Sequence, residues 1–189
     1  LAGVLFGLLT FKPHLGLVLP FVLLALGAWR TIAAAVVTAA LLVGGSVLQL
    51  GLEPWRQYLT VTTAYQTSLL IGFEGYYTLM MTSVLAGART LGISYHSGLA
   101  IQAAVALTVL PVAVMAIVRT SDPYRRIAVL VPATLLVTPY AFNYDMTALA
   151  AVIVWTLFGR LPSREAWSLA YLAGWATPVA TIFIANVGA

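Results

Sequence analysis

Uncharged apolar stretches alternate with short polar breaks along this chain. Residues 31–52, 98–118 and 166–189 contain no Asp, Glu, Lys or Arg. Each is close to the roughly 20 apolar residues that a helix needs to cross about 30 Å of hydrocarbon, so each predicts a membrane span. Two further apolar regions are interrupted. Residues 3–29 are broken by Lys12-Pro13-His14, and residues 127–158 by the run from Thr138-Pro139-Tyr140 to Asn143-Tyr144-Asp145. Proline disfavours helix at the residue before it, so Lys12 and Thr138 are predicted stopping points. Each region then reads as a pair of helices meeting at a polar corner. Pro111 and Pro178 fall inside apolar stretches, where a kink is tolerated if neighbours satisfy the freed backbone.

The long connection 53–95 is not a polar loop. Tyr77, Met80, Met81, Val84, Leu85 and Ala88 follow helical spacing, with Thr78, Thr82, Ser83 and Arg89 elsewhere on that surface. Trp55, Tyr58, Leu59 and Tyr65 predict an earlier helix, opened by Pro54 in its first turn. Trp and Tyr favour the membrane interface, so both helices are expected on, or dipping into, the outer face. No internal repeat, low-complexity segment or soluble domain stands out. The expected fold is all-α: a polytopic transmembrane helical bundle with broken helix pairs and interfacial amphipathic helices. Residues 1–189 form one transmembrane domain. The apolar pattern is under way at Leu1, so the chain is expected to be the later part of a larger polytopic protein.

Composition sharpens this picture. Of 189 residues, 62% are hydrophobic and 7% charged, against about 25% charged in a soluble domain. A soluble enzyme and a secreted disulfide scaffold are excluded. The net charge of +4 is spread along the chain with no basic stripe, so no nucleic-acid partner is expected. Cysteine is absent and there are two histidines. Thiolate zinc sites, iron–sulfur clusters and three-histidine sites cannot form, and no metal is expected. Arg30 and the basic loops 119–126 and 160–164 fall on one side by alternation, and the Arg and Lys bias makes that side cytoplasmic. Lys12, residues 53–95 and Asp145 then lie outside.

Polar groups in such a chain carry the candidate chemistry. With Arg160 at the cytoplasmic interface, Asp145 is expected roughly 22 Å up, in the outer third of the bilayer. The same arithmetic from Arg30 places Lys12 roughly 27 Å up. An intramembrane carboxylate is costly unless wetted or paired, and is functional by default. Lys12, His14, Asn143, Tyr144 and Asp145, with Tyr140, are therefore expected to line one outward-facing pocket. The alternative for Lys12 is an interfacial anchor that snorkels to lipid phosphates. His14 equally suits a satisfied helix-end histidine. Glu74, among two glycines and three aromatics, suits a sugar or headgroup contact, or an ordinary interfacial turn. Arg56 suits a phosphate contact or an ion pair with Glu53.

Four segments stand in order along the chain. Residues 7–16 read Gly-Leu-x-x-x-Lys-Pro-x-x-Gly. Gly51, Trp55 and Leu59 read Gly-x-x-x-Trp-x-x-x-Leu after a span. Ser83-Val84 with Arg89 and Gly92 make a third, and Thr138-Pro139-Tyr140 with Tyr144-Asp145 a fourth. Together they resemble segments of glycosyltransferase family 87. The resemblance implies a GT-C class membrane enzyme of the bacterial inner membrane, multi-pass and related to polyprenol-phosphate-mannose-dependent mannosyltransferases. Such an enzyme moves a hexose from a polyprenyl-phosphate carrier to a lipid or glycan acceptor at the outer face, inverting the anomeric centre, with no cofactor or metal. The main catalytic base is expected upstream of Leu1, with Asp145 as a supporting carboxylate and Lys12 and Arg56 near the leaving phosphate. The competing readings are a multi-pass transporter, since broken hairpins also build transport sites, and a non-catalytic membrane scaffold.

Overall fold

The structure, a computed structural model, describes residues 1–158. The expected span 166–189, the basic loop 160–164 and Pro178 lie outside the described residues. The chain divides into two compact units, Leu1–Phe73 and Glu74 onward. The described residues are helical throughout, save for turns and one isolated antiparallel bridge. Among the described residues, two helices are long and apolar enough to cross a membrane, and both coincide with predicted spans.

In the first unit, α1 (Ala2–Leu8) leads into two 3-10 turns, Leu9–Phe11 and Pro13–Gly16, and then α2 (Leu19–Ala25) and α3 (Trp29–Leu50). The break falls on Lys12 as the proline predicts: its φ of −135° and ψ of 69° lie outside the helical region. The seam between α1 and α3 is made by glycine. A Cβ on Gly3 would strike the Thr31 carbonyl and Ala34, and one on Gly7 would strike Thr38 and the Ala35 carbonyl. Small residues four apart let two helix backbones approach closely in lipid. Gly3 faces 31–34 and Gly7 faces 35–38, so α1 runs parallel to the start of α3.

Gly51, at φ 79°, ends α3, and its N–H reaches the Val47 carbonyl at 2.9 Å. Then follow α4 (Glu53–Gln57), a π turn at Tyr58–Thr62 and α5 (Thr63–Gly72) without interruption. The predicted aromatic helix therefore exists but continues further, through Gly72. Trp55 Nε1 donates to Ser46 Oγ at 2.8 Å, tying this helix to the end of α3. Phe73, with φ 52° and ψ 45°, caps it in the left-handed conformation that glycine usually takes.

The second unit opens with α6 (Tyr76–Leu79) and α7 (Val84–Thr90). The single helix expected from Tyr77 to Ala88 is thus two helices. Between them Met81 bridges to Phe142, and Ser83 N-caps α7 by accepting from the Ala86 N–H at 3.1 Å. Thr78 and Ser83, expected at the surface, are buried, and Tyr77, expected inside, is exposed. A serine that favours an N-cap and a strand-like pairing partner outcompete the apolar periodicity here. After α7 come α8 (Tyr95–Val118), α9 (Pro123–Val137), a 3-10 turn at Asn143–Met146, and α10 (Thr147–Phe158). Leu85, Ile117, Thr138 and Ala141 are fully buried in this unit. Gly98 admits Leu85, whose Cδ1 lies 3.0 Å from where a Cβ would stand.

Candidate functional site

The corner after α9 is a tightly specified polar structure. α9 stops at Val137, the residue before Thr138-Pro139, as the proline requires. The Tyr140 N–H donates to Thr138 Oγ1 at 3.3 Å, which closes a tight turn. The chain then runs extended beside 80–82. The Thr82 N–H donates to the Ala141 carbonyl at 2.9 Å, and the Asn143 N–H donates to the Met80 carbonyl at 2.8 Å. Asp145 is buried in the next turn, and its Oδ2 accepts from the Phe142 N–H at 3.1 Å. That is the carboxylate half of a capping box, which satisfies a backbone donor that the 3-10 turn leaves open. Thr82 Oγ1, buried at the same seam, has no hydrogen-bond partner among the described residues.

Four predicted site residues therefore meet in one corner: Tyr140, Asn143, Tyr144 and Asp145. Phe142 lies among the rings. It is edge-on to Tyr140 at 4.9 Å and stacked on Tyr144 at 5.2 Å.

Lys12 and His14 form a second corner, in the first unit. Lys12 is half-buried, its N–H donating to the Leu9 carbonyl at 2.8 Å and its carbonyl accepting from the Leu15 N–H at 3.0 Å. His14, also half-buried, sits in the turn Pro13–Gly16. Because α1 runs parallel to α3, Lys12 lies only five residues beyond the level of Ala35–Thr38. That is roughly 20 Å along α3 from Trp29, short of the roughly 27 Å that residue counting from Arg30 gives. The 3-10 turns and the early return of the chain account for the difference.

Arg56 is exposed on α4. Of its two readings, the ion pair with Glu53 does not form among the described residues; Glu53 accepts instead from Gln57 Nε2, at 3.5 Å. Glu74 is exposed between Phe73 and the left-handed Gly75. No group of three or more His, Asp or Glu side chains gathers for a metal among the described residues.

One residue that sequence reasoning passed over organises the corner. Gln102, 2% exposed in the middle of apolar α8, accepts from the Leu85 N–H at 3.1 Å through Oε1. Its Nε2 donates to the Leu136 and Val137 carbonyls, at 2.9 and 3.2 Å. These are orphan groups at the start of α7 and the end of α9. A lone Gln inside an uncharged span was the available signal, because lipid-buried amides cost free energy unless paired.

The four segments of the resemblance are largely fold devices in this structure. Gly7 makes the α1–α3 seam, and Gly51 and Trp55 join α3 to α4. Ser83 starts α7. Gly92, at φ 78°, ends it with a pair of bonds, Ile93 N–H to Ala88 and Gly92 N–H to Arg89, each 3.0 Å. Arg89 Nη1 adds a bond to the Ile93 carbonyl at 2.9 Å.

No curated protein and no solved structure matches the chain. The family model of glycosyltransferase family 87 matches residues 1–139, which take in the first three segments and the start of the fourth. A match over most of the chain places it: the chain belongs to glycosyltransferase family 87, a family of membrane glycosyltransferases.

Proposed function

We propose that this chain forms part of a polytopic enzyme of the bacterial inner membrane that moves a mannose-like hexose from a polyprenyl phosphate to a lipid or glycan acceptor at the outer face. Family membership carries the reading, and the placement of the corner at 138–145 supports it. α9 has 15 residues, roughly 22 Å of helix, against about 30 Å of hydrocarbon. With Arg125 and Arg126 at the cytoplasmic end, the corner at 138–145 stands in the outer part of the bilayer. That is a costly position for the Asp145 charge, which a lipid-phosphate site explains.

The chemistry is one displacement. The acceptor hydroxyl oxygen bonds to the anomeric carbon as the bond from that carbon to the phosphate oxygen breaks. The hydroxyl proton passes to a carboxylate, and the electron pair leaves with the lipid phosphate. Lys12 and Arg56 stabilise the phosphate as its charge grows. Asp145 orients rather than abstracts, because one of its oxygens already holds the Phe142 N–H. Asn143 and the Tyr140 and Tyr144 hydroxyls offer hydrogen bonds to the sugar. Neither a metal nor a cofactor has a part in this scheme.

Broken helices also build transport sites, and the break at Lys12 keeps a transporter as the second reading. Radiolabelled mannosyl polyprenyl phosphate supplied to membranes holding the protein separates the two. Label appearing in a new glycolipid or glycan supports transfer. Accumulation of unmodified sugar inside sealed vesicles, without transfer, supports transport.

A further inference from the structure

Phe142, Tyr144 and Tyr77 form a group of rings in the second unit, of which the displacement scheme uses only the Tyr144 hydroxyl. Phe142 is 4% exposed, whereas Tyr144 and Tyr77 are 52% and 61% exposed. Tyr144 lies parallel to Phe142, with 9° between the planes. Tyr77 meets Phe142 edge-on, with centroids 6.2 Å apart. The support beneath them is fixed in two ways. Met81 pairs with Phe142 through the Thr82 and Asn143 N–H bonds across the seam, and Asp145 holds the Phe142 N–H.

We propose that Tyr144 and Tyr77, held by the buried Phe142, form an aromatic platform that binds the pyranose ring of the sugar carried by the lipid phosphate. This rests on the transfer reading above and names the part of the donor that the corner recognises. A pyranose has an apolar C–H face and a rim of hydroxyls. The electron-rich face of an aromatic ring attracts polarised C–H groups, and a rigid ring binds with little loss of conformational entropy. Asn143, half-buried between Phe142 and Tyr144 in sequence, adds an amide that both donates to and accepts from hydroxyls. Tyrosines that only anchor a protein at the interface need a mixed environment. They do not need to be arranged about a buried ring that the backbone pins on both sides.

The test is equilibrium binding to the natural protein in lipid nanodiscs, with mannosyl polyprenyl phosphate and bare polyprenyl phosphate as the two probes. The wild type binds the sugar-bearing lipid more tightly. Tyr144→Leu removes most of that difference, about tenfold, and Tyr77→Leu a smaller share. Tyr144→Phe keeps it within about threefold, because the ring face remains. Binding of the bare lipid phosphate is unchanged in all three, which also reports that the variants fold. A sugar-dependent difference that survives in full in both leucine variants overturns the platform. So does a wild type that binds the two lipids equally. Saturation-transfer NMR with methyl α-D-mannopyranoside keeps the two ideas apart. Signal that depends on Tyr144 in a protein that transfers no sugar sinks the transfer reading and leaves the platform standing. Transfer that is indifferent to Tyr144 and Tyr77 sinks the platform alone.

Discussion

α3 and α8 are alike as sequences and unlike as parts of a fold. They have 22 and 24 residues, both apolar, and either could span a bilayer. α3 has no buried residue, whereas α8 buries Gly98, Gln102, Ala113 and Ile117. The second unit satisfies its helix ends internally, through Gln102, Ser83 and Asp145. The first unit packs α1 on α3 through a glycine seam, buries Val18, Leu19 and Val22, and leaves Val36, Leu41 and Leu48 of α3 exposed. Apolarity alone therefore says that a helix suits lipid. What it packs against is decided by a few small or polar residues.

A glutamine exists in each helix, and the pair gives the sharpest way to break this contrast. Gln102→Leu keeps size and apolarity but strands the Leu85 N–H and the Leu136 and Val137 carbonyls. The expected loss is about 3 kcal/mol or more, read from thermal unfolding in detergent micelles. A Gln102→Leu variant as stable as the wild type would show that the second unit is not organised by this side chain. Gly7→Val comes next. The new Cβ meets Thr38 and the Ala35 carbonyl, and overpacking of this kind costs about 1–3 kcal/mol. Cysteines placed at Phe6 and Thr38 should cross-link more slowly in that variant, because α1 is pushed off α3. Unchanged cross-linking would mean that the seam is looser than its glycines imply. The smallest effect belongs to Gln49→Leu in α3. Gln49 is exposed, so stability should move by no more than about 0.5 kcal/mol. A large loss there would reveal a partner for α3 that its exposure hides.

The same contrast explains what the sequence made legible. Uncharged runs marked α3 and α8, and X-Pro steps marked the ends at Lys12 and Thr138, because both signals are local and sterically enforced. Tyr140, Asn143, Tyr144 and Asp145 are close in sequence, so their meeting in one corner followed from the turn itself. The pairing of 80–82 with 141–143 did not, since it joins segments about sixty residues apart and overrides the helical spacing of Tyr77 to Ala88. Gln102 was hidden for the same reason: its partners lie 17, 34 and 35 residues away. The Gly3–Gly7 spacing was visible in the sequence but became informative only once Thr31, Ala34, Ala35 and Thr38 stood opposite it. The height of Lys12 was overestimated because residue counting assumes continuous α-helix.

The central claim is that charge at the two corners serves transfer from a lipid phosphate rather than folding. The most direct measurement is steady-state transfer of radiolabelled mannose from polyprenyl phosphate, comparing the natural protein with Asp145→Asn and Lys12→Ala. Asparagine keeps an acceptor for the Phe142 N–H, so Asp145→Asn should fold normally and lower kcat by about tenfold or more. Lys12→Ala should mainly raise KM for the donor, again by about tenfold, through the lost phosphate contact. Contradiction would take a plain form: both variants expressed at wild-type levels, and both transferring mannose with unchanged kcat and KM.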